Sequence, residues 1–173
     1  MSGDLSWIER AKKLVEYHEE AQDFVRRVGE QLPTGPSDAW AVSELWVEAD
    51  RLDDMICSLL DEMNTGLEDG NAELDTTRGA SMRPADFEEE AVFYECSWTL
   101  QWRDNRGVVV NIAVEPNARS YEVNVQAIRA EESQRIRHPV TEPELKEALV
   151  NAYVVETTRG DFIIQDNLDA SPQ

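Results

Sequence analysis

The chain has 173 residues, is 41% hydrophobic, and carries a net charge of −20 from 36 acids against 16 bases. That length holds one domain with a real core, or a small domain plus an appendage, and five tryptophans argue for a folded chain. The charge argues against nucleic acid as a direct partner, because phosphate contacts need clustered Lys and Arg. No apolar run reaches the roughly 18 residues that a membrane-spanning helix needs.

The charge is unevenly placed. Residues 1–37 carry seven acids and five bases, residues 38–90 sixteen and three, and residues 91–173 thirteen and eight. The bases are thirteen arginines against three lysines, a bias that fits a GC-rich genome or a salt-adapted proteome. The first residues, Met-Ser-Gly-Asp-Leu, lack a charged n-region followed by an apolar h-region, so no secretory signal is expected. Cys57 and Cys96 read as buried thiols, and a reducing cytoplasm is the expected setting.

Trp7, Ala11, Leu14, His18, Ala21, Val25, Val28 and Leu32 recur at alternating spacings of four and three, widened by Ile8, Val15 and Phe24. This predicts a helix of about 26 residues with a coiled-coil-like seam. Pro33-Thr34-Gly35-Pro36 stops it, and Ser37 or Asp38 caps a second helix. There Val42, Leu45, Ala49, Leu52, Ile56, Leu59 and Met63 repeat the pattern, with Trp46 and Leu60 alongside. Two such seams joined by a short loop make an antiparallel helical hairpin over residues 1–65. Residues 66–85, with three glycines, a proline and scattered acids, read as an acidic linker or long loop.

A sheet domain is expected over residues 86–166, its clearest part a three-stranded meander from Val92 to Ile128. Val92, Tyr94, Cys96, Trp98, Leu100 and Trp102 alternate with mostly polar residues, the mark of a strand buried on one face. Val108, Val110, Ile112 and Val114 repeat the alternation, and Tyr121, Val123, Val125 and Ala127 repeat it with flipped parity. A three-residue loop Asn105-Arg106-Gly107 would set Trp102 opposite Val110, with glycine left-handed. A four-residue loop Pro116–Arg119 would set Val114 opposite Tyr121 and Ile112 opposite Val123. The other sheet face is expected to be polar and solvated, with Glu95, Thr99, Gln101, Asn111, Glu122, Asn124 and Gln126. Residues 129–138 read as charged and exposed. Thr141-Glu142-Pro143-Glu144 is a capping box opening a short helix with Leu145, Ala148, Leu149 and Ala152 on one face. Two strands, Tyr153–Thr157 and Phe162–Gln165, are expected to close a C-terminal hairpin, and residues 167–173 to fray. The fold class is α+β, the helical hairpin packing on the meander and covering Trp98 and Trp102.

Catalytic signatures are few. His18 and His138 lie in different predicted elements and in no metal-binding spacing, and the cysteines form no CxxC pair. No phosphate loop, nucleophile elbow or kinase signature occurs. Asp69–Asp75 places oxygen side chains at alternate positions, but its glycine is second and Leu74 sixth, which fails the EF-hand pattern. Arg159-Gly160-Asp161 reads as a hairpin turn. His18 is expected to pack on the hairpin seam opposite Asp53, in an ion pair. Neither a catalytic residue, a metal nor a cofactor is expected.

The acidic middle third is the strongest functional feature. Glu44, Glu48, Asp50, Asp53, Asp54, Asp61 and Glu62 on the second helix, with Glu88, Glu89 and Glu90, form the candidate partner-binding face. Over a helix about 40 Å long, seven acids fall near one per 6 Å, sparser than the one charge per ~1.7 Å of duplex DNA. The leading expectation is a non-enzymatic acidic protein that blocks or escorts a basic, nucleic-acid-binding partner, as phage-type inhibitors and nucleic-acid mimics do. The order of strands and helix after residue 92 resembles, by topology only, the small acidic chaperones of secretion systems. That resemblance implies a dimeric chaperone or adaptor working through apolar grooves. A salt-adapted structural domain and a carboxylate-bound metal catalyst are the remaining alternatives.

Overall fold

Ser6 and Glu9 open the first helix with a reciprocal cap. The Ser6 hydroxyl accepts from the Glu9 N–H at 3.2 Å, and the Glu9 carboxylate accepts from the Ser6 N–H at 3.3 Å. The computed structural model describes residues 6–84, 90–117, 120–130 and 133–169. Its elements are α1 (Trp7–Val28), α2 (Asp38–Leu67), β1 (Glu73–Pro84), β2 (Glu90–Trp102), β3 (Arg106–Glu115), β4 (Ser120–Ala127), β5 (Gln134–Ile136) and α3 (Glu142–Asp169). The five strands form one antiparallel sheet in chain order, β1 to β5. α2 lies against β2 and β3, α3 against β3, β4 and β5, and α1 rests on α2.

The helical hairpin and the alternation in β2, β3 and β4 follow the sequence pattern. Val42, Leu45, Trp46, Leu52, Ile56 and Leu60 on α2 are buried against Tyr94, Trp98, Leu100, Val110 and Ile112. The hairpin turn is pinned by Asp38, whose Oδ2 accepts from the Tyr94 hydroxyl at 2.7 Å and the Gly35 N–H at 3.0 Å. Ser37 sits at the N-cap of α2 but makes no side-chain cap bond, because Asp38 turns toward the sheet and the preceding loop instead. Burial and the Asp38 carboxylate together push the Tyr94 hydroxyl far above the ordinary tyrosine range.

Register is kept at one turn and shifted at the other. Val114 faces Tyr121 and Ile112 faces Val123, as the four-residue loop requires. Between β2 and β3 the parity holds, but Trp98, not Trp102, faces Val110, and Trp102 faces Arg106. The turn is the 3-10 segment Arg103–Asn105, and Asn105 takes the left-handed conformation at φ 59°. Asparagine tolerates that region, so glycine was not needed there. Gly107 lies within β3 instead, where a Cβ would overlap the Leu100 carbonyl oxygen and the Ile128 side chain. Its smallness serves close approach rather than turning. Trp98 is held to α2 through Asp53, and Trp102 also meets Tyr153 of α3, ring centroids 5.3 Å apart.

Three segments differ from the sequence reading. Residues 73–84, expected within a linker, form β1, paired along its length with β2. Its alternation is faint because an edge strand needs few apolar residues: Glu73–Arg78 is exposed, and Pro84 ends the strand. Within the segment expected to be charged and exposed, Gln134–Ile136 forms β5 and buries Ile136. The C-terminal hairpin is absent. α3 runs unbroken through Tyr153–Gln165 to Asp169, with Arg159-Gly160-Asp161 inside it, and residues 170–173 of the expected frayed tail lie outside the described residues. Val154, Val155, Thr157 and Thr158 gave the segment a strand-like composition. In the helix the two threonine hydroxyls donate back to carbonyls one turn earlier, Thr157 to Tyr153 at 2.9 Å and Thr158 to Val154 at 2.6 Å.

Glu156 shows why the helix wins. It is fully buried, and its carboxylate accepts from the Gly107 N–H at 3.3 Å, the Arg129 N–H at 3.2 Å and Arg129 Nε at 2.9 Å. One side chain thus ties α3 to the start of β3 and the end of β4. On the opposite sheet face, Arg83 pairs with Glu95 and reaches Glu122 at 4.0 Å, and Arg135 holds Glu122 at 3.0 Å. Asn111 Nδ2 donates to Ser97 Oγ at 2.8 Å. That face is polar, as expected, though Phe93 and Ala113 are buried within it.

Candidate functional site

The ten predicted acids do not form one face. An α-helix turns about 100° per residue, so acids close in sequence along α2 point in several directions. Glu48, Asp50 and Asp53 turn toward the protein. Asp54, Asp61 and Glu62 are exposed along the second half of α2, and Glu44 is exposed near its start. Glu90 is exposed at the start of β2, away from that half of α2, and Glu88 and Glu89 lie outside the described residues.

The inward acids are occupied. Asp50 accepts from the Tyr17 hydroxyl at 2.5 Å, with Lys13 Nζ at 3.7 Å. Burial, followed by Asp50, pushes the Tyr17 hydroxyl up to about 12. Asp53 Oδ1 accepts from Trp98 Nε1 at 2.8 Å and from the Cys57 thiol at 3.4 Å. Arg78, from β1, lies 4.2 Å over the Trp46 ring and pairs with Glu20 of α1 at 3.2 Å. Asp50, Asp53 and Arg78 line a groove of about 470 Å³ between α2 and the β1–β2 pair, together with Cys96 and Trp98. Burial pushes the Cys96 thiol up to about 12, and burial with Asp53 pushes Cys57 to about 11, so neither is poised as a nucleophile. The groove is a joint between helices and sheet.

The expected His18–Asp53 pair does not form. His18 stacks on Trp40, ring centroids 4.0 Å apart and 22° between planes. Its neighbour Tyr17 reaches further along α2 instead, to Asp50, since a one-residue difference swings a side chain by about 100°.

Glu48 makes a second buried cluster. Its carboxylate, 7% exposed, accepts from Arg51 Nη2 at 2.5 Å and lies 3.0 Å from His138 Nε2. Burial works to raise its pKa, but the hydrogen bonds from Arg51 and His138 outweigh it and leave the carboxyl below its ordinary value. A depressed carboxyl contributes stability that is present above the unfolded pKa and is lost as pH falls through the folded one. The stability advantage of the native chain over Glu48→Gln should therefore shrink as pH falls below about 4.5. Urea midpoints of both proteins at pH 7, 5, 4 and 3 check this; a gap that stays constant would count against it.

The exposed acids of α2 have neighbours that the sequence reading left out. α3 reaches the end of α2 through Tyr153, whose hydroxyl donates to Glu68 at 2.9 Å, and its first turns expose Glu142, Glu144 and Glu147. Lys146 Nζ sits 3.1 Å from Glu142, and its pKa is raised by that contact and, more weakly, by Glu62. Asp54, Asp61 and Glu62 span eight residues, about 12 Å of helix. The two helices together thus present six exposed carboxylates, of which Glu142 and Glu62 act on Lys146. The sequence signal for Glu142 and Glu144 was the pair of acids in a first turn, which the capping role already explains, and Glu147 lies beyond that turn. Among the described residues, no group of three or more His, Cys, Asp or Glu is placed to hold a metal ion, and no helix is long and apolar enough to cross a membrane. No family model, curated protein or solved structure matches the chain.

Proposed function

We propose that this chain is a non-enzymatic protein-binding protein whose acidic surface, shared by α2 and the start of α3, blocks or escorts a basic, nucleic-acid-binding partner. The observation that carries the reading is the exposure of Asp54, Asp61 and Glu62 along α2 and of Glu142, Glu144 and Glu147 on α3, with Glu142 and Glu62 both acting on Lys146. Other acids are drawn into internal work at Asp38, Glu48, Asp50, Asp53, Glu95 and Glu156. A surface of one sign speeds encounter with its opposite and loses that advantage over a Debye length of about 8–10 Å.

The test reverses Asp54, Asp61 and Glu62 to Lys together and compares affinity capture from the native host, read by mass spectrometry. Basic interactors that elute with salt should bind the native chain and vanish from the variant. The control reverses Glu30 and Asp75, exposed residues remote from the patch in sequence, and should keep them. Equal capture by patch and control variants would sink the reading. The dimeric chaperone or adaptor remains the second reading, favoured by the apolar residues that α1 leaves in solvent.

A further inference from the structure

α1 carries more apolar seam than the fold uses. Only Ala21 and Val25 of its residues are buried, both in its second half. In the first half Trp7 is 79% exposed, Val15 71% and Ile8 48%, and Trp40 beside His18 is 51% exposed. At about 100° per residue, Trp7, Ala11, Val15 and Ile8 fall within about 100° of the helix circumference. A contiguous exposed patch of this kind marks an interaction surface rather than ordinary scatter.

The charges beside the patch say what covers it. Lys12 and Glu19 are both exposed. They are seven residues apart and so occupy the same border of the stripe. When two identical helices pack antiparallel about a two-fold axis, such a border meets itself in reverse order. With the axis near Val15, each Lys12 meets Glu19 of the second copy, and each Glu19 meets its Lys12. Residues 7–24, the span that such an axis overlaps, hold five acids against three bases, so only −2 of each copy's −20 lies on the meeting helices. Two exposed tryptophans, an isoleucine and a valine from each copy bring the buried area to the order of 1,000 Å², the threshold for a specific interface.

We propose that two copies of this chain associate through the exposed apolar faces of their α1 helices, antiparallel and centred near Val15, with Lys12 of each against Glu19 of the other. This surface lies on α1 and is separate from the acidic surface of α2 and α3, so the two readings stand or fall independently.

The experiment is sedimentation equilibrium of the full chain, with circular dichroism confirming the fold of each variant. The native chain should be dimeric at about 100 µM. Val15→Asp, at an exposed position, should remain folded and be monomeric. Lys12→Glu and Glu19→Lys should each weaken association by about tenfold, since each turns both cross-pairs repulsive. Mixing those two variants should restore the dimer, because every cross-pair is then of opposite sign. A monomeric native chain, a dimeric Val15→Asp, undiminished dimers in both charge variants, or a mixture that stays dissociated would each overturn the proposal. Asp54→Lys with Asp61→Lys and Glu62→Lys should leave the dimer intact, which separates this result from the test of the acidic surface.

Discussion

Trp98→Ala is expected to lower stability by about 3–5 kcal/mol, the usual effect of emptying a large aromatic site in a core. Trp98 is 3% exposed, sits mid-strand in β2 opposite Val110, and is held to α2 through Asp53. Trp98→Phe separates the two contributions. It keeps most of the packing but leaves Asp53 without the indole donor, for an expected loss of about 1–3 kcal/mol. Urea denaturation with unchanged slopes would report both values. An unaltered midpoint for Trp98→Ala would mean that the face of β2 assigned to the core is wrong.

Glu156→Ala should be comparably damaging, at about 3–5 kcal/mol, because it leaves buried donors and the Arg129 guanidinium without their acceptor. The informative comparison is the double variant Glu156→Met with Arg129→Met. Removing both charges is often far less harmful than removing one, so the double variant should be more stable than Glu156→Ala. If the two single losses simply add in the double variant, the pair does not act as a unit. Melting temperatures measured at pH 7 suffice to decide.

What the sequence disclosed depended on whether a residue's role is written in its spacing. The seams of α1 and α2 and the alternation of β2, β3 and β4 were legible because burial on one face leaves a period. β1 was not legible: its exposed half carries Glu73, Asp75 and Arg78, and its pairing is supplied by β2 rather than by its own composition. The second half of α3 was misread because Val154, Val155, Thr157 and Thr158 favour strands locally, while the buried Glu156 favours the helix through partners 27 and 49 residues away. The candidate surface was half legible. Counting charge identified α2, but nothing in the count distinguishes Asp53, bonded to an indole, from Asp54, facing solvent. That Glu62 of α2 and Glu142 of α3 act on the same Lys146 depends on tertiary placement that no count of charge contains.

The order of the sheet also governs how the chain reaches its native state. Each strand neighbours the one before it in sequence, so the ladder can grow hairpin by hairpin through short loop closures. The clasp from Glu156 to Gly107 spans 49 residues and closes only once α3 has docked on a finished β3–β4 pair. It therefore belongs to the late side of the barrier. Loss of Glu156 should show chiefly as faster unfolding, with the refolding arm of the chevron nearly unmoved. The clasp acts as a latch on lifetime: the meander determines how quickly the fold is found, and one buried carboxylate determines how long it is kept.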